Sequence, residues 1–450
     1  MNIVIVGGGT VGAEICERLA PENHNITLID TNLATLTALS NKYDLFGIVG
    51  NGAELSVLKK ADLEKADLLI AVTSNDEINI LCCATAKKLG VEHTIARVRN
   101  PEYSEMISFM KEEFDLSLTI NPELALAKEI YRTLKFPSAK RIDTFCRGRV
   151  EIAEIVVSND SPFCNRTLIE IRSSLNMKFL VCAVLRGNEA YIPTGNFVIE
   201  AGDTICVTLP DEEISKFFKA IGAYKHPVKN IIIVGAGRTT YYLESLLKGG
   251  KIRSTVIDED KQACLGLAEQ YSATVVCEDP TKQEVLLEEG LANADAFLAL
   301  SDIDEENAIV SMFAKTQNTG KIITMIKSSS YMEIFKGLGL HGIVSPKSST
   351  SSLILKYVRS LANVKDSEIE NLYKLMNDKV EALEFFIKDD IKSLTNIPLK
   401  NLKLQSGVLL ACIVRNGKVL IPSGNDVISV SDTVIIVTTS QIKGIREILK

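Results

Sequence analysis

The sequence predicts an α/β protein of two tandem Rossmann-like domains, each a doubly wound parallel sheet and each followed by a small α+β subdomain. Three observations carry this prediction. Short, all-apolar, β-branched runs alternate with longer helical stretches through residues 2–135. A glycine-rich turn follows the first of these runs, and the whole plan then occurs a second time.

The runs are Ile3–Val6, Ile26–Ile29, Phe46–Val49, Leu68–Val72 and Thr94–Val98. Apolar runs separated by helices indicate βα units whose parallel sheet is buried on both faces. From about residue 140 to 222 the texture changes. Glu151–Val157, Phe179–Leu185, Ala190–Ile192 and Thr204–Thr208 are strand-like and joined by Gly, Asn, Asp and Pro turns, the pattern of a mostly antiparallel subdomain. The repeat is visible residue by residue. Asn2–Gly9 returns as Asn230–Gly237, and the same offset of 228 carries Asp30 onto Asp258, Asp67 onto Asp295 and Asn79 onto Asn307. Ile192–Asn196 returns as Ile421–Asn425 at an offset of 229. In the second copy Asn416-Gly417 sits between apolar residues, the strongest short hairpin signal. The expected domains are therefore 1–136, 137–225, 226–362 and 363–450, with Pro137 and Pro227 near two of the boundaries.

Composition limits the function classes. At 450 residues the chain asks for two to four domains. Lys plus Arg number 50 against 57 for Asp plus Glu, a formal charge of −7 with no basic block, which argues against nucleic acid held by its phosphates. No apolar run reaches the ~18–20 residues of a membrane-spanning helix. No basic segment precedes the first strand, so no secretory signal is expected. Ten cysteines without a C-x-x-C pair read as reduced thiols of a cytosolic protein. Cys82-Cys83, in an apolar helix, reads as core packing.

Gly7, Gly9 and Gly12 form G-x-G-x-x-G between the first strand and a helix. Gly7 allows the tight turn, Gly9 lets the backbone approach a pyrophosphate, and Gly12 permits close helix–strand packing. The helix start then offers free N–H groups and a positive dipole end to phosphates. Asp30 ends the second strand, where a carboxylate can bind both ribose hydroxyls and repel a 2′-phosphate; this favours NAD or an adenine nucleotide over NADP. Open α/β sheets bind ligands beyond the carboxyl ends of their strands. There stand Asn51 and Gly52 of a Gly-Asn-Gly loop, Thr73 and Ser74, and Arg97. Turn and N-cap chemistry is an equal reading of Asn51 and Ser74.

The second copy keeps Gly235, Gly237 and Asp258, but Thr240 replaces Gly12 and Met325 replaces Arg97. A bulkier third residue is expected to push the helix off the strand and narrow dinucleotide access. Arg238 follows the second glycine, beside the expected phosphate position. Two readings stay open for this half: a nucleotide site with its phosphates near Arg238, or a structural remnant.

The alternative function is an NAD-dependent oxidoreductase. Hydride transfer calls for a positioned acid or base near the nicotinamide. None of the four histidines, His24, His93, His226 and His341, falls at the carboxyl end of a strand, and an enzyme would pair one cofactor domain with a distinct substrate domain. No spacing of Cys, His and Asp suggests a metal site.

The glycine motif, Asp30, the loop at 50–52, Asp67–Thr73 with Asn75–Asn79, and Ala96–Asn100 resemble the RCK (KTN) family, regulators of potassium conductance. Two such units in tandem, each with a C-terminal RCK subdomain, are similar to the regulatory subunits of Trk-type potassium-uptake systems. The resemblance covers nearly the whole chain. It implies a cytoplasmic homo-oligomer, a dimer or tetramer forming a gating ring, held at the inner face of the membrane by a Trk-type potassium-conducting subunit. It implies no catalytic residues and a nucleotide, NAD(H) or alternatively ATP or ADP, that changes the ring's shape. Carried over, the binding positions are Gly7, Gly8, Gly9, Thr10, Val11, Asp30, Thr73, Ser74 and Arg97. In the second copy they are Gly235, Ala236, Gly237, Arg238, Thr239 and Asp258. Some RCK C-terminal subdomains bind cyclic di-AMP, but no residues of this sequence identify such a site.

Overall fold

The computed structural model describes the chain except residues 23, 101–102, 104–105, 107–115, 137–138, 140, 147–149, 176, 210–212, 223–227, 318, 341, 365–368, 377–378, 441 and 443. Pro137, Pro227, His226 and His341 thus lie outside the described residues. The chain divides into two compact units, each assembled from both halves of the sequence: Met1–Lys135 with Pro227–Leu355, and Phe136–His226 with Lys356–Lys450.

In the first unit, the amino-terminal half supplies β1 (Asn2–Val6), α1 (Thr10–Leu19), β2 (Asn25–Asp30), α2 (Leu33–Lys42), β3 (Phe46–Val49), α3 (Leu55–Lys60), β4 (Leu68–Ala71), α4 (Asp76–Lys88), β5 (His93–Arg97), β6 (Leu118–Ile120) and α5 (Pro122–Lys135). The strands form one sheet in the order β3-β2-β1-β4-β5-β6, parallel throughout. The order reverses beside β1, which opens a crevice at the carboxyl ends of β1 and β4. Ile3, Ile5, Leu68, Leu69 and Ile70 are fully buried, as strands covered on both faces require. Cys82 and Cys83 are also fully buried in this core, and burial pushes both thiols upward.

The other half of this unit repeats the plan. Its elements run β14 (Asn230–Val234), α8 (Arg238–Leu247), β15 (Arg253–Asp258), α9 (Lys261–Gln270), β16 (Thr274–Cys277), α10 (Gln283–Glu288), β17 (Ala296–Ala299), α11 (Asp304–Thr316), β18 (Lys321–Met325), α12 (Ser329–Gly337), β19 (Ile343–Val344) and α13 (Pro346–Val364). The strand order is the same, β16-β15-β14-β17-β18-β19. The two halves exchange helices. Leu126, Ala127, Ile130 and Leu134 of α5 pack in the core that holds Tyr242, Leu243 and Leu247 of α8. In return, Lys347 of α13 pairs with Glu14 of α1 at 3.6 Å, and Ser349 donates to Glu129 of α5 at 2.7 Å.

In the second unit, β7 (Arg141–Phe145), β8 (Val150–Val156), β10 (Leu180–Arg186), β11 (Glu189–Tyr191) and β13 (Thr204–Thr208) form an antiparallel sheet, order β11-β10-β13-β8-β7. The pair β9 (Arg166–Thr167) and β12 (Val198–Ile199), with α6 (Leu168–Ser174) and α7 (Ile214–Ala220), completes this subdomain. Its counterpart is β20 (Ile369–Leu375), β21 (Val380–Phe386), β24 (Thr433–Thr438), β22 (Val408–Arg415) and β23 (Lys418–Leu420), in that order. Asn416 and Gly417 link β22 to β23 with φ of 50° and 75°, the paired left-handed conformations of a type I′ turn that the Asn-Gly signal predicts. The two sheets share one core. Phe145, Ile152, Cys182 and Cys206 from one meet Leu375, Ala382, Cys412 and Ile435 from the other. Reciprocal hydrogen bonds cross it: Met376 N donates to Glu154 at 2.9 Å, and Cys146 N donates to Glu384 at 3.3 Å.

Candidate nucleotide site

At the carboxyl ends of β1 and β4 lies a crevice of about 410 Å³. Gly7, Gly9, Thr10, Val11, Asp30, Asn51, Gly52, Thr73, Ser74 and Arg97 line it, so the fold gathers ten of the twelve first-half positions around one space. Gly8 and Gly12 stand behind this wall and shape it. The lining also includes Thr31, Asn75 and Ile78, which sequence reasoning did not select.

Each glycine has its own steric reason. Gly7 adopts φ +102°, and a Cβ there would meet Thr73 N at 2.9 Å. A Cβ on Gly12 would stand 1.9 Å from Gly7 O, so only glycine allows α1 to start this close to the turn. A Cβ on Gly9 would meet nothing within 4 Å, because Gly9 faces the open crevice where a ligand's phosphates can approach the backbone. In the next loop, a Cβ on Gly52 would lie 2.3 Å from Val6 Cγ1, which makes Gly52 a packing residue as well.

The Asp30 carboxylate holds two backbone donors, Gly8 N at 2.6 Å and Asn32 N at 2.8 Å. It thereby clamps the glycine turn to the end of β2. The cap of α2 is Asn32, whose side chain accepts from Ala34 N and Thr35 N, so Asp30 itself is free of helix capping. Asn51 accepts from Ala53 N at 3.0 Å in a local turn. Asn75 rather than Ser74 caps α4, and Ser74 is exposed at the crevice mouth.

Sequence reasoning gave Asn79 and Asp76 no role, yet they hold the far wall. Asn79 is fully buried on the first turn of α4. It accepts from Thr73 N and Thr73 Oγ1, both at 2.8 Å, and donates to Thr73 O at 3.2 Å and Arg97 O at 2.9 Å. One amide thus fastens the ends of β4 and β5. Asp76 accepts from Arg99 N and Asn100 N at 2.8 and 2.9 Å. The available signal was the repeat, since both residues recur at the common offset as Asp304 and Asn307.

Arg97 is the crevice's cation. One terminal nitrogen donates to Thr73 O, while its Nε is buried with no hydrogen-bond partner. Burial and the neighbouring Arg99 charge lower its pKa, with Glu123 and Asp76 acting the other way. A buried guanidinium N–H without an acceptor is costly, and the Arg97 guanidinium, as part of the crevice lining, offers its positive charge to an anion there. Glu123, on α5, is one of the two carboxylates that act on Arg97. Burial raises its pKa, opposed by Arg99, Arg238 and Arg97, and its Oε2 has no hydrogen-bond partner.

The second copy keeps the turn and loses the cation. Gly235 repeats φ +102°, Gly237 again faces open space, and Asp258 takes Ala236 N at 2.6 Å and Asp260 N at 2.8 Å. Thr240 is buried and donates its hydroxyl to Gly235 O at 2.6 Å. A Cβ placed at Gly12 would collide with Gly7 O, whereas Thr240 is accommodated at the matching place with its hydroxyl on Gly235 O. Arg238 is exposed at the first position of α8, Thr239 is buried, and the buried Met325 closes β18 where Arg97 closes β5. Asn307 repeats the wall, bonded to Ser301 N, Ser301 O and Met325 O at 2.9, 2.8 and 3.0 Å.

Comparison with known proteins agrees with this architecture. The TrkA-N domain model matches residues 3–114 and again 231–346, and the TrkA-C domain model matches residues 152–222. The chain is 30% identical to the Trk system potassium uptake protein TrkA homolog of Archaeoglobus fulgidus, over 100% of both chains. It is 31% identical to TrkA homolog 1 of Methanosarcina mazei, over 97% of both. Among solved structures, the GsuK channel bound to NAD aligns at a TM-score of 0.64 and 17% identity, covering 98% of this chain and 77% of that one. GsuK bound to ADP aligns at 0.50 and 14% identity, covering 79% and 69%. With the N-terminal domain model matched twice and full-length relatives at this identity, the chain belongs to the TrkA family of Trk-system potassium uptake proteins.

Proposed function

We propose that this chain is a nucleotide-binding regulatory subunit that gates a Trk-type membrane potassium transporter. The observation that carries the reading is the first crevice: an open backbone at Gly9, the Asp30 carboxylate and the Arg97 guanidinium around one space. That set suits a ribose on one side and phosphate on the other. The ligand is NAD(H) or, alternatively, ATP or ADP, in line with the family and with the two nucleotides named for GsuK. The second copy, with Met325 at the position of Arg97, is the weaker candidate. The four domains are 1–136, 137–225, 226–362 and 363–450, and a dimer or tetramer of the chain forms the ring.

The work is regulatory rather than catalytic. A nucleotide shifts the ring only by its differential affinity for the two shapes. Among the described residues no helix is long and apolar enough to cross a membrane, which fits an ion pathway carried by a partner chain. On this reading the protein is cytoplasmic and reaches the inner membrane face through that partner. Calorimetric titration of the purified chain with NAD, NADH, ATP and ADP is the test. At least one binds, and Asp30→Ala weakens it about tenfold to a hundredfold, the range for losing a charged hydrogen-bond acceptor. Absence of binding by the unmodified chain overturns the proposal.

A further inference from the structure

Two cysteines flank the end of the second strand of the second copy, beside the residue that clamps its glycine turn. Cys264 lies in the first turn of α9, and Cys277 ends β16, the edge strand of its sheet. In the parallel ladder Cys277 is in register with Asp258, the residue that clamps the second glycine turn. The sulfurs rest on the carbonyls of consecutive residues, Cys264 Sγ on Asp258 O at 3.3 Å and Cys277 Sγ on Glu259 O at 3.8 Å. Cys277 is also one of the groups that act on the Cys264 thiol. Cys277 is exposed and Cys264 is buried.

We propose that Cys264 and Cys277 are a redox-active pair that closes to an intramolecular disulfide when the chain meets a hydroperoxide. The geometry assigns the roles. Exposed Cys277 is accessible to the oxidant, and Cys264 waits behind it as the resolving thiol. The Cys277 sulfur attacks one peroxide oxygen; the O–O bond breaks, water leaves, and a sulfenic acid remains. The Cys264 sulfur then attacks the Cys277 sulfur and expels hydroxide, which leaves as water with the Cys264 proton. Two thiols and one hydrogen peroxide give one disulfide and two waters. Burial, followed by the neighbouring Cys277, pushes the Cys264 thiol up to about 11, so Cys264 is a poor first target for the oxidant.

The pair is specific to the second copy. The matching first-copy residues are Leu36, buried in α2, and Val49, exposed at the end of β3. Both positions are aliphatic in the first copy and both are cysteine in the second. The bond would tie α9 to the edge strand across the turn 258–260 and fix the wall that carries Asp258. The inference does not depend on which nucleotide, if any, binds there.

The test treats the full-length chain with stoichiometric hydrogen peroxide, alkylates all remaining thiols in denaturant, and maps the digest by mass spectrometry. Trypsin leaves both cysteines in residues 262–282, and further cleavage after Glu269 separates them. The expected result is loss of two hydrogens from the tryptic peptide, two covalently linked fragments after the second cleavage, and two of ten thiols protected from alkylation. Dithiothreitol restores both, and Cys264→Ser leaves Cys277 as a sulfenic or overoxidised thiol with no linked fragment. Full alkylation of both cysteines after peroxide overturns the proposal. So does oxidation of Cys277 with Cys264 still alkylatable in the unmodified chain. Because the mapping is done on the unmodified chain, a failure of the serine variant to fold leaves the result decisive.

Discussion

The two Rossmann halves share a skeleton and differ in what they place on it. Both glycine turns hold φ +102° at the first glycine, both aspartates clamp the turn through a 2.6 Å hydrogen bond, and both buried asparagines staple two strand ends. The differences fall at the chemistry. Arg97 becomes Met325, Gly12 becomes Thr240, and the Gly50-Asn51-Gly52 loop becomes Glu278-Asp279-Pro280. The Asp clamp and the Asn staple therefore serve the scaffold in both halves, and in the first half Asp30 lines the crevice as well. An acidic residue at the end of the second strand is on its own weak grounds for a ligand. The arginine in the crevice lining is the stronger ground.

The comparison can be broken most severely at the shared skeleton. Asn79→Ala strands Thr73 N and Arg97 O in a buried site and should cost about 3 kcal/mol of stability in denaturant unfolding. Asn307→Ala should cost a similar amount, and a large inequality between the two would show that the staple serves the ligand rather than the fold. Next is the cation. Arg97→Met makes the first crevice resemble the second and should weaken nucleotide binding by about 2 kcal/mol, close to thirtyfold, in calorimetry. Unchanged affinity would remove Arg97 from the site. Thr240→Ala deletes the hydroxyl that bonds Gly235 O and should cost about 1 kcal/mol in thermal unfolding. Preserved stability would mean that the hydroxyl only fills space.

The smallest effect is on Glu123. Burial raises its folded-state pKa, so the folded protein prefers the protonated carboxyl. Its contribution to stability is then fully present below the ordinary carboxyl range and is lost as pH rises through the raised value, leaving a cost at neutrality. Glu123→Gln should raise stability at pH 7 by about 1 kcal/mol and change nothing near pH 3. A loss at pH 7 would show that Arg99, Arg238 and Arg97 outweigh desolvation.

The legible parts of this molecule were those governed by local rules. Strand runs such as Ile3–Val6 and Leu68–Val72 declare a doubly covered sheet because no polar residue interrupts them, and Asn416-Gly417 declares its hairpin because few other pairs accept two left-handed conformations. The crevice lining was legible for the same reason, since strand ends and glycine turns are local features. Asn79 was not. Its role depends on which strand end α4 crosses, and a single polar residue in a helix carries no mark of that. Nor does any periodicity in α5 reveal that it leaves its own sheet to pack with Tyr242 and Leu243, because an amphipathic stripe does not name its partner.

The core shared by the paired C-terminal sheets has a consequence for descent. Phe145 and Leu375 lie in one core, and Glu154 and Glu384 each accept a backbone N–H from the other half. A half-length forebear would have needed a second copy of itself to cover the same surface, and two identical copies can carry only identical sites. Fusing them into one polypeptide frees the copies from that symmetry. An arginine can be kept at position 97 while a methionine takes position 325, and the pair works as a heterodimer encoded by a single chain.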